Sequence, residues 1–126
     1  MVNYIILTNN QQVAEYAESQ GWNYQILFGL PIVVLMAAES LAIQGWRLAV
    51  DPLAGYFSHH NPYHTVFLQR GQASPHDWLC LERAANRWQG YKMSPAEKQL
   101  AVRQAYQQLD KALAISTMEQ LAYYIC

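Results

Sequence analysis

Apolar runs of strand length alternate with helix-like segments through the first half of the chain. The runs occupy residues 4–7, 24–28, 47–50 and 65–68, and the first is an unbroken Tyr-Ile-Ile-Leu stretch. Continuous apolar runs are typical of strands that are buried on both faces of a sheet. Because such a sheet needs helices on both faces, the alternation predicts strands and helices joined by right-handed crossovers.

Capping residues and turn formers indicate where the helices begin and end. The segments after the first two runs repeat apolar residues at helical spacing, and each stops at a glycine, such as Gly21. In the second half, an acid follows three residues after Ser74, Ser94 and Ser116, which is the spacing of a capping box. We therefore predict a helix start at each serine, with Leu109 on the apolar face of the helix after Ser94.

These elements predict a three-layer α/β domain with a mainly parallel sheet of about four strands and a helical C-terminal half, with the direction of the fourth strand left open. The chain has 126 residues, which is the usual size of one domain, and it contains no internal repeat or long flexible linker. Residues 1–126 are therefore expected to form a single domain. With 52% hydrophobic and 13% charged residues, the chain is apolar enough to bury a core.

Charge and hydropathy exclude several classes of function. The formal net charge of -1 provides no broad positive field, so we expect no nucleic-acid binding. The longest apolar stretch, residues 32–43, contains Glu39 and Ser40 and is too short to cross a bilayer, so no membrane span is predicted. Cys80 and Cys126 lie far apart and form no CxxC pair, and no targeting segment is recognisable; we expect reduced thiols and a cytoplasmic protein.

The segment from Asp51 to His64 is the leading candidate for a functional site, because it places turn formers, aromatics and three histidines between two strands. Asp51, His59, His60 and His64 are residue types that ligate metals or transfer protons near neutral pH. Pro62 prevents His60 and His64 from pairing on one face of a helix. No histidine-acid motif of the HExxH kind occurs in the sequence. We therefore predict no metal and no cofactor, and the alternative interpretation is a loop of packing histidines.

A second candidate is the polar turn Thr8-Asn9-Asn10, which follows the first strand and precedes the first helix. In open α/β sheets this position often holds an anion on helix amides, so a small anionic ligand is one interpretation. The glycines of phosphate-binding loops are missing, and Thr8 and Gln11 stand at capping-box spacing, so a helix cap is the favoured alternative.

Two further features carry a weaker signal. Arg83 and Arg87 share a helix face and could together bind a carboxylate or phosphate, although a solvated face explains the same spacing. Cys80 is embedded in an amphipathic helical pattern without a catalytic signature, so we interpret it as structural.

Three short stretches resemble the GrdX family: residues 4–10 (YIILTNN), 45–55 (GWRLAVDPLAG) and 61–63 (NPY). The resemblance implies a small accessory protein of the kind associated with glycine, sarcosine or betaine reductase systems, without an established reaction. The family pattern tends to have a proline after the two asparagines and a histidine before the proline-leucine pair. This chain has Gln11 and Asp51 there, so no catalytic residue is carried over.

Two hypotheses about function follow. The first is a non-enzymatic accessory or protein-interaction role, with a protein partner and with self-association as a separate expectation. The second is a small-ligand-binding domain or an unrecognised enzyme, with the two polar connections converging at the carboxyl ends of the strands. Its candidate residues are Thr8, Asn9, Asn10, Asp51, His59, His60, Asn61 and His64. We rank ligand binding below the accessory role, and catalysis below both.

Overall fold

The computed structural model describes residues 3–52 and 61–123. In chain order the elements are β1 (Tyr4–Thr8), α1 (Gln11–Ser19), β2 (Tyr24–Ile26), α2 (Pro31–Ile43), β3 (Trp46–Leu48), β4 (Thr65–Arg70), α3 (Pro75–Trp88) and α4 (Leu100–Tyr123). The described part of the chain thus has the predicted number of strands and the predicted helical C-terminal half. None of its helices has the combination of length and apolar character that crossing a membrane requires.

The sheet is mixed, and the prediction of a mainly parallel sheet was wrong. Its strand order is β2-β1-β4-β3, with β1 parallel to β2 and with β4 antiparallel to both β1 and β3. Antiparallel pairing follows because the chain leaves β3 and enters β4 at the same end of the sheet, whereas a parallel pair requires a crossover. A contact across the ladder supports this pairing: the Arg70 guanidinium lies 5.0 Å from the ring centre of Trp46, its register partner.

Helices cover both faces of the sheet because successive strand residues point to opposite sides. Ile6 and Phe67 pack against α1 and α4, in a cluster with Val13, Ala17, Ala114 and Met118. Leu7, Val66 and Leu68 point the other way, against α2 and α3. That second cluster is larger and includes Val34, Leu35, Ala38, Leu81, Ala84 and Trp88.

The three predicted helix starts have different outcomes. Ser74 caps α3 with a complete capping box, since its hydroxyl accepts from the Asp77 amide and the Asp77 carboxyl accepts from the Ser74 amide. Ser94 and Glu97 make the same pair of bonds, but they close an isolated turn, and α4 begins at Leu100. The start predicted at Ser116 was wrong because α4 continues through that position.

Candidate functional site

The first polar connection nominated from the sequence lies beside residues 61–64 of the second, at one end of the two central strands, which we call the sheet edge. Strand β1 ends at Thr8, and β4 begins at Thr65, which is the register partner of Thr8 in the antiparallel ladder. The end of one strand therefore lies next to the start of the other. This brings Thr8, Asn9 and Asn10 together with Asn61 and His64, and all of them except Asn9 are buried.

Asn9 joins three separate segments of the chain. Its Nδ2 donates to the carbonyls of Gly29 and Pro62, both at 2.8 Å, and its Oδ1 accepts from the His64 amide at 2.8 Å. Gly29 has a φ of 139°, and a Cβ built there would lie 3.0 Å from a Val33 methyl, so no larger residue fits easily. Asn9 therefore fixes the loop before α2 and the loop before β4 relative to the end of β1.

Asn10 is the N-cap of α1 and also binds the C-terminal helix. Its Oδ1 accepts from the Gln12 amide at 3.1 Å, which is a capping bond. Its Nδ2 donates to the Gln107 carbonyl and to Oδ2 of Asp110, both at 3.0 Å. The cap interpretation is thus correct for Asn10, but the pairing of Thr8 with Gln11 as a capping box was wrong, because Gln11 is the first residue of α1. Thr8 instead accepts from the Asn10 amide at 3.0 Å.

Asp110 is the residue at this edge that the sequence analysis missed. It is fully buried, and its Oδ2 accepts from the Thr65 hydroxyl at 2.9 Å as well as from Asn10. Since the Thr65 proton is directed to Asp110, the 2.8 Å contact between the two threonine hydroxyls requires Thr8 to donate to Thr65. The sequence signal that could have identified Asp110 is a second helical stripe in α4, next to the predicted one with Leu109. It contains Asp110, Ala114 and Met118 at a spacing of four residues.

Asn61 attaches the end of the second connection to the same helix. Its Nδ2 donates to the Tyr106 carbonyl at 2.9 Å, and its Oδ1 accepts from the Tyr63 amide at 2.8 Å. Asn10 and Asn61 therefore both bind backbone carbonyls of α4, at Gln107 and Tyr106. Helix α4 is held against this edge of the sheet by polar bonds, in addition to the apolar contacts of Ala114 and Met118.

His64 is a neutral, buried ring in the larger core. Its ring centre lies 5.8 Å from that of Trp88. Burial, followed by the nearby positive charge of Arg87, lowers the pKa of His64 to about 4. The imidazole therefore carries no charge at neutral pH. Arg87 itself has a buried Nε without a hydrogen-bond partner among the described residues.

The remaining candidates are placed differently. Asp51 is exposed and borders a cavity of about 30 Å³ that also contacts Thr65 and Thr117. That volume has room for one or two water molecules and is too small for an amino acid. His59 and His60 lie outside the described residues. Within residues 3–52 and 61–123, no three His, Cys, Asp or Glu side chains are grouped so that they could hold a metal ion.

The comparisons with known proteins give one match. The family model described as GrdX-like protein matches residues 5–119, which is nearly the whole chain. No curated protein and no solved structure matches significantly. The family match extends well beyond the three stretches in the first half that carried the resemblance, and it includes the network at the sheet edge and most of α4. The chain therefore belongs to the GrdX-like protein family.

Proposed function

We propose that this chain is a non-enzymatic accessory protein that acts by binding another protein. The observation that carries the proposal is the way in which the polar side chains at the sheet edge are used. Both N–H groups of the Asn9 amide and both of the Asn10 amide are already engaged, and each amide oxygen accepts a backbone N–H. These asparagines build the edge and leave few free groups to contact a ligand.

The energetic consequence favours an architectural role for this network. A ligand that took over the Asn10 amide would remove one of the two donors to Oδ2 of the buried Asp110 and the donor to the part-buried Gln107 carbonyl. Each buried group left unsatisfied costs about 1–3 kcal/mol. Family membership supports the accessory role independently, because the resemblance to GrdX proteins implies association with amino-acid reductase systems. The partner expected on that basis is a protein component of such a system.

The test is recovery of a partner at native abundance. The chain, tagged in its own host, is purified under mild salt, and each co-purifying protein is then produced separately and titrated against the purified chain. The proposal expects saturable binding of at least one such protein, and the heat-denatured chain serves as the control. Recovery of no binding protein, together with specific turnover of a small molecule by the pure chain, would contradict the proposal.

A second candidate function is binding of a small anion, and Arg87 is the observation that favours it. Its buried Nε lacks a partner among the described residues, and a carboxylate or phosphate would supply one. His64, which Arg87 affects electrostatically, is one of the residues nominated from the sequence. The ligand in this alternative is an amino acid, phosphate or nucleotide held at the edge where β1 ends and β4 begins.

Thermal shift measurements separate this alternative from the accessory role. A ligand at 100 times its Kd stabilises the fold by roughly 2.7 kcal/mol, which is readily measured. Binding at Arg87 predicts a shift for the native chain and for Arg83→Met, an exposed arginine one turn earlier, but none for Arg87→Met. The absence of any shift, or an equal shift in Arg87→Met, would exclude Arg87 as the anion contact.

A further inference from the structure

Helix α2 is apolar on every side, although only part of its surface is covered. Among its 13 residues, PIVVLMAAESLAI, the polar side chains are Glu39 and Ser40. A surface helix normally has an apolar stripe and a polar face, while a helix that is apolar all round is normally buried all round. Val34, Leu35 and Ala38 pack into the larger core, so the opposite side of α2 has the composition of a buried surface without being buried.

The uncovered side is a single stripe along the helix. Val33, Met36, Ser40 and Ile43 stand at positions i, i+3, i+7 and i+10 and therefore share one face, which we call the α2 stripe. The exposed fractions are 37% for Val33, 60% for Met36 and 78% for Ile43. Phe28, which is 81% exposed, precedes α2 in the chain.

The charge of the stripe indicates which kind of partner fits it. None of its four side chains is ionisable, and the acid of α2, Glu39, is half-buried and flanks the stripe. Two copies that meet through the stripe therefore bring like charges together only at its margin. A strongly charged partner would lose hydration on the stripe and gain no opposite charge from its four side chains. A straight stripe on one helix also matches itself when a two-fold axis crosses it near its middle, between Met36 and Ser40.

The area of the stripe is sufficient for a weak but specific dimer. Together with Phe28 it exposes on the order of 500 Å² of mostly apolar surface, near the upper end of what a monomer leaves uncovered. If all of this surface were covered, two copies would bury about 1,000 Å², which is the lower bound for a specific interface. We propose that the α2 stripe binds the α2 stripe of a second copy of this chain, as an antiparallel helix pair. This dimer does not depend on the accessory role proposed above.

Sedimentation velocity between about 1 and 100 µM tests the proposal over the range expected for a small interface. The native chain is expected to become dimeric within this range. Met36→Glu places a charge in the middle of the stripe and should raise the dimer Kd about 100-fold or more, because the carboxylates would be buried without partners. Leu109→Glu is the matched control, since Leu109 is 50% exposed on α4, which covers the opposite face of the sheet. It should leave the Kd unchanged.

Far-UV circular dichroism and urea denaturation test whether each variant is folded. If Met36→Glu does not fold, Ile43→Ser at the end of the stripe is used in its place. A native chain that is monomeric at about 100 µM overturns the proposal. A dimer whose Kd is unchanged in Met36→Glu also overturns the proposal. The same holds if Leu109→Glu raises the dimer Kd as much as Met36→Glu does. Stoichiometric binding of a different protein to the stripe, while the chain alone stays monomeric, would assign the surface to that protein instead.

Discussion

Replacing Asp110 by alanine tests the idea that the polar network holds α4 to the sheet. Asp110 is fully buried, and Oδ2 receives two donors, the Thr65 hydroxyl at 2.9 Å and the Asn10 amide at 3.0 Å. Each buried donor left without an acceptor costs about 1–3 kcal/mol, so Asp110→Ala should destabilise the fold by about 2 to 6 kcal/mol. That is a large part of the 5–15 kcal/mol typical of a domain, so a clear fall in the urea midpoint is expected.

Urea denaturation followed by tryptophan fluorescence measures the effect, at one fixed protein concentration because dimerisation would shift the apparent stability. Glu119→Ala removes an exposed carboxyl from the same helix and should change the free energy of unfolding by less than about 0.5 kcal/mol.

A double-mutant cycle adds a sharper test. Thr65→Val removes one of the donors that Asp110 serves, while Thr8 keeps the His64 carbonyl at 3.4 Å as an alternative acceptor. The double variant should therefore lose at least about 1 kcal/mol less than the sum of the two single variants. Strict additivity, or a loss for Asp110→Ala no larger than for Glu119→Ala, would refute the network as the attachment of α4.

Three further outcomes follow from the same contacts. The pKa of His64 is about 4 in the folded chain and about 6.5 when unfolded, so the unfolded state binds the proton first as the pH falls. Between about pH 6.5 and pH 4 the native chain should lose about 3 kcal/mol more stability than His64→Gln, measured by urea denaturation at each pH. Burial raises the pKa of the Cys80 thiol, so mass spectrometry should find its peptide labelled by iodoacetamide far more slowly in the folded chain than in urea. Ser74→Ala should cost about 1 kcal/mol through the lost cap, whereas Ser116→Ala, inside α4, should be near neutral by the same denaturation assay.

The sequence was informative where a local pattern determines the structure. Each of the four runs overlaps a strand, because short apolar runs bounded by turn formers are typical of buried strands, whereas the longer apolar segment of α2 forms a helix. The direction of β4 was not predictable in the same way. A strand that is buried on both faces has the same apolar composition whether it is parallel or antiparallel to its neighbour, and the connection from β3 to β4 decided the direction.

The candidate site illustrates a second limit of prediction. Asn9, Asn10, Asn61 and His64 were identified as notable from their position in connections, but their contacts depend on the pairing of β1 with β4. Leu109 was predicted to face the core and is half-exposed, while its neighbour Asp110 is fully buried. The side of α4 that faces the sheet includes Asp110, which accepts from Asn10 and Thr65, and a hydrophobic pattern contains no information about such an acceptor.

The network gives a physical meaning to the stretches that carry the family resemblance. Asn9 and Asn10 belong to the first stretch and Asn61 to the last, and all three use their amides to tie loop backbones to one another or to α4. The side chain that completes the network, Asp110, comes from a helix in which no such motif was evident and which the family model nevertheless includes. The three asparagines and Asp110 therefore act as one structural set. On this view the shared motif describes how the domain is built, and a motif of that kind does not by itself assign a function.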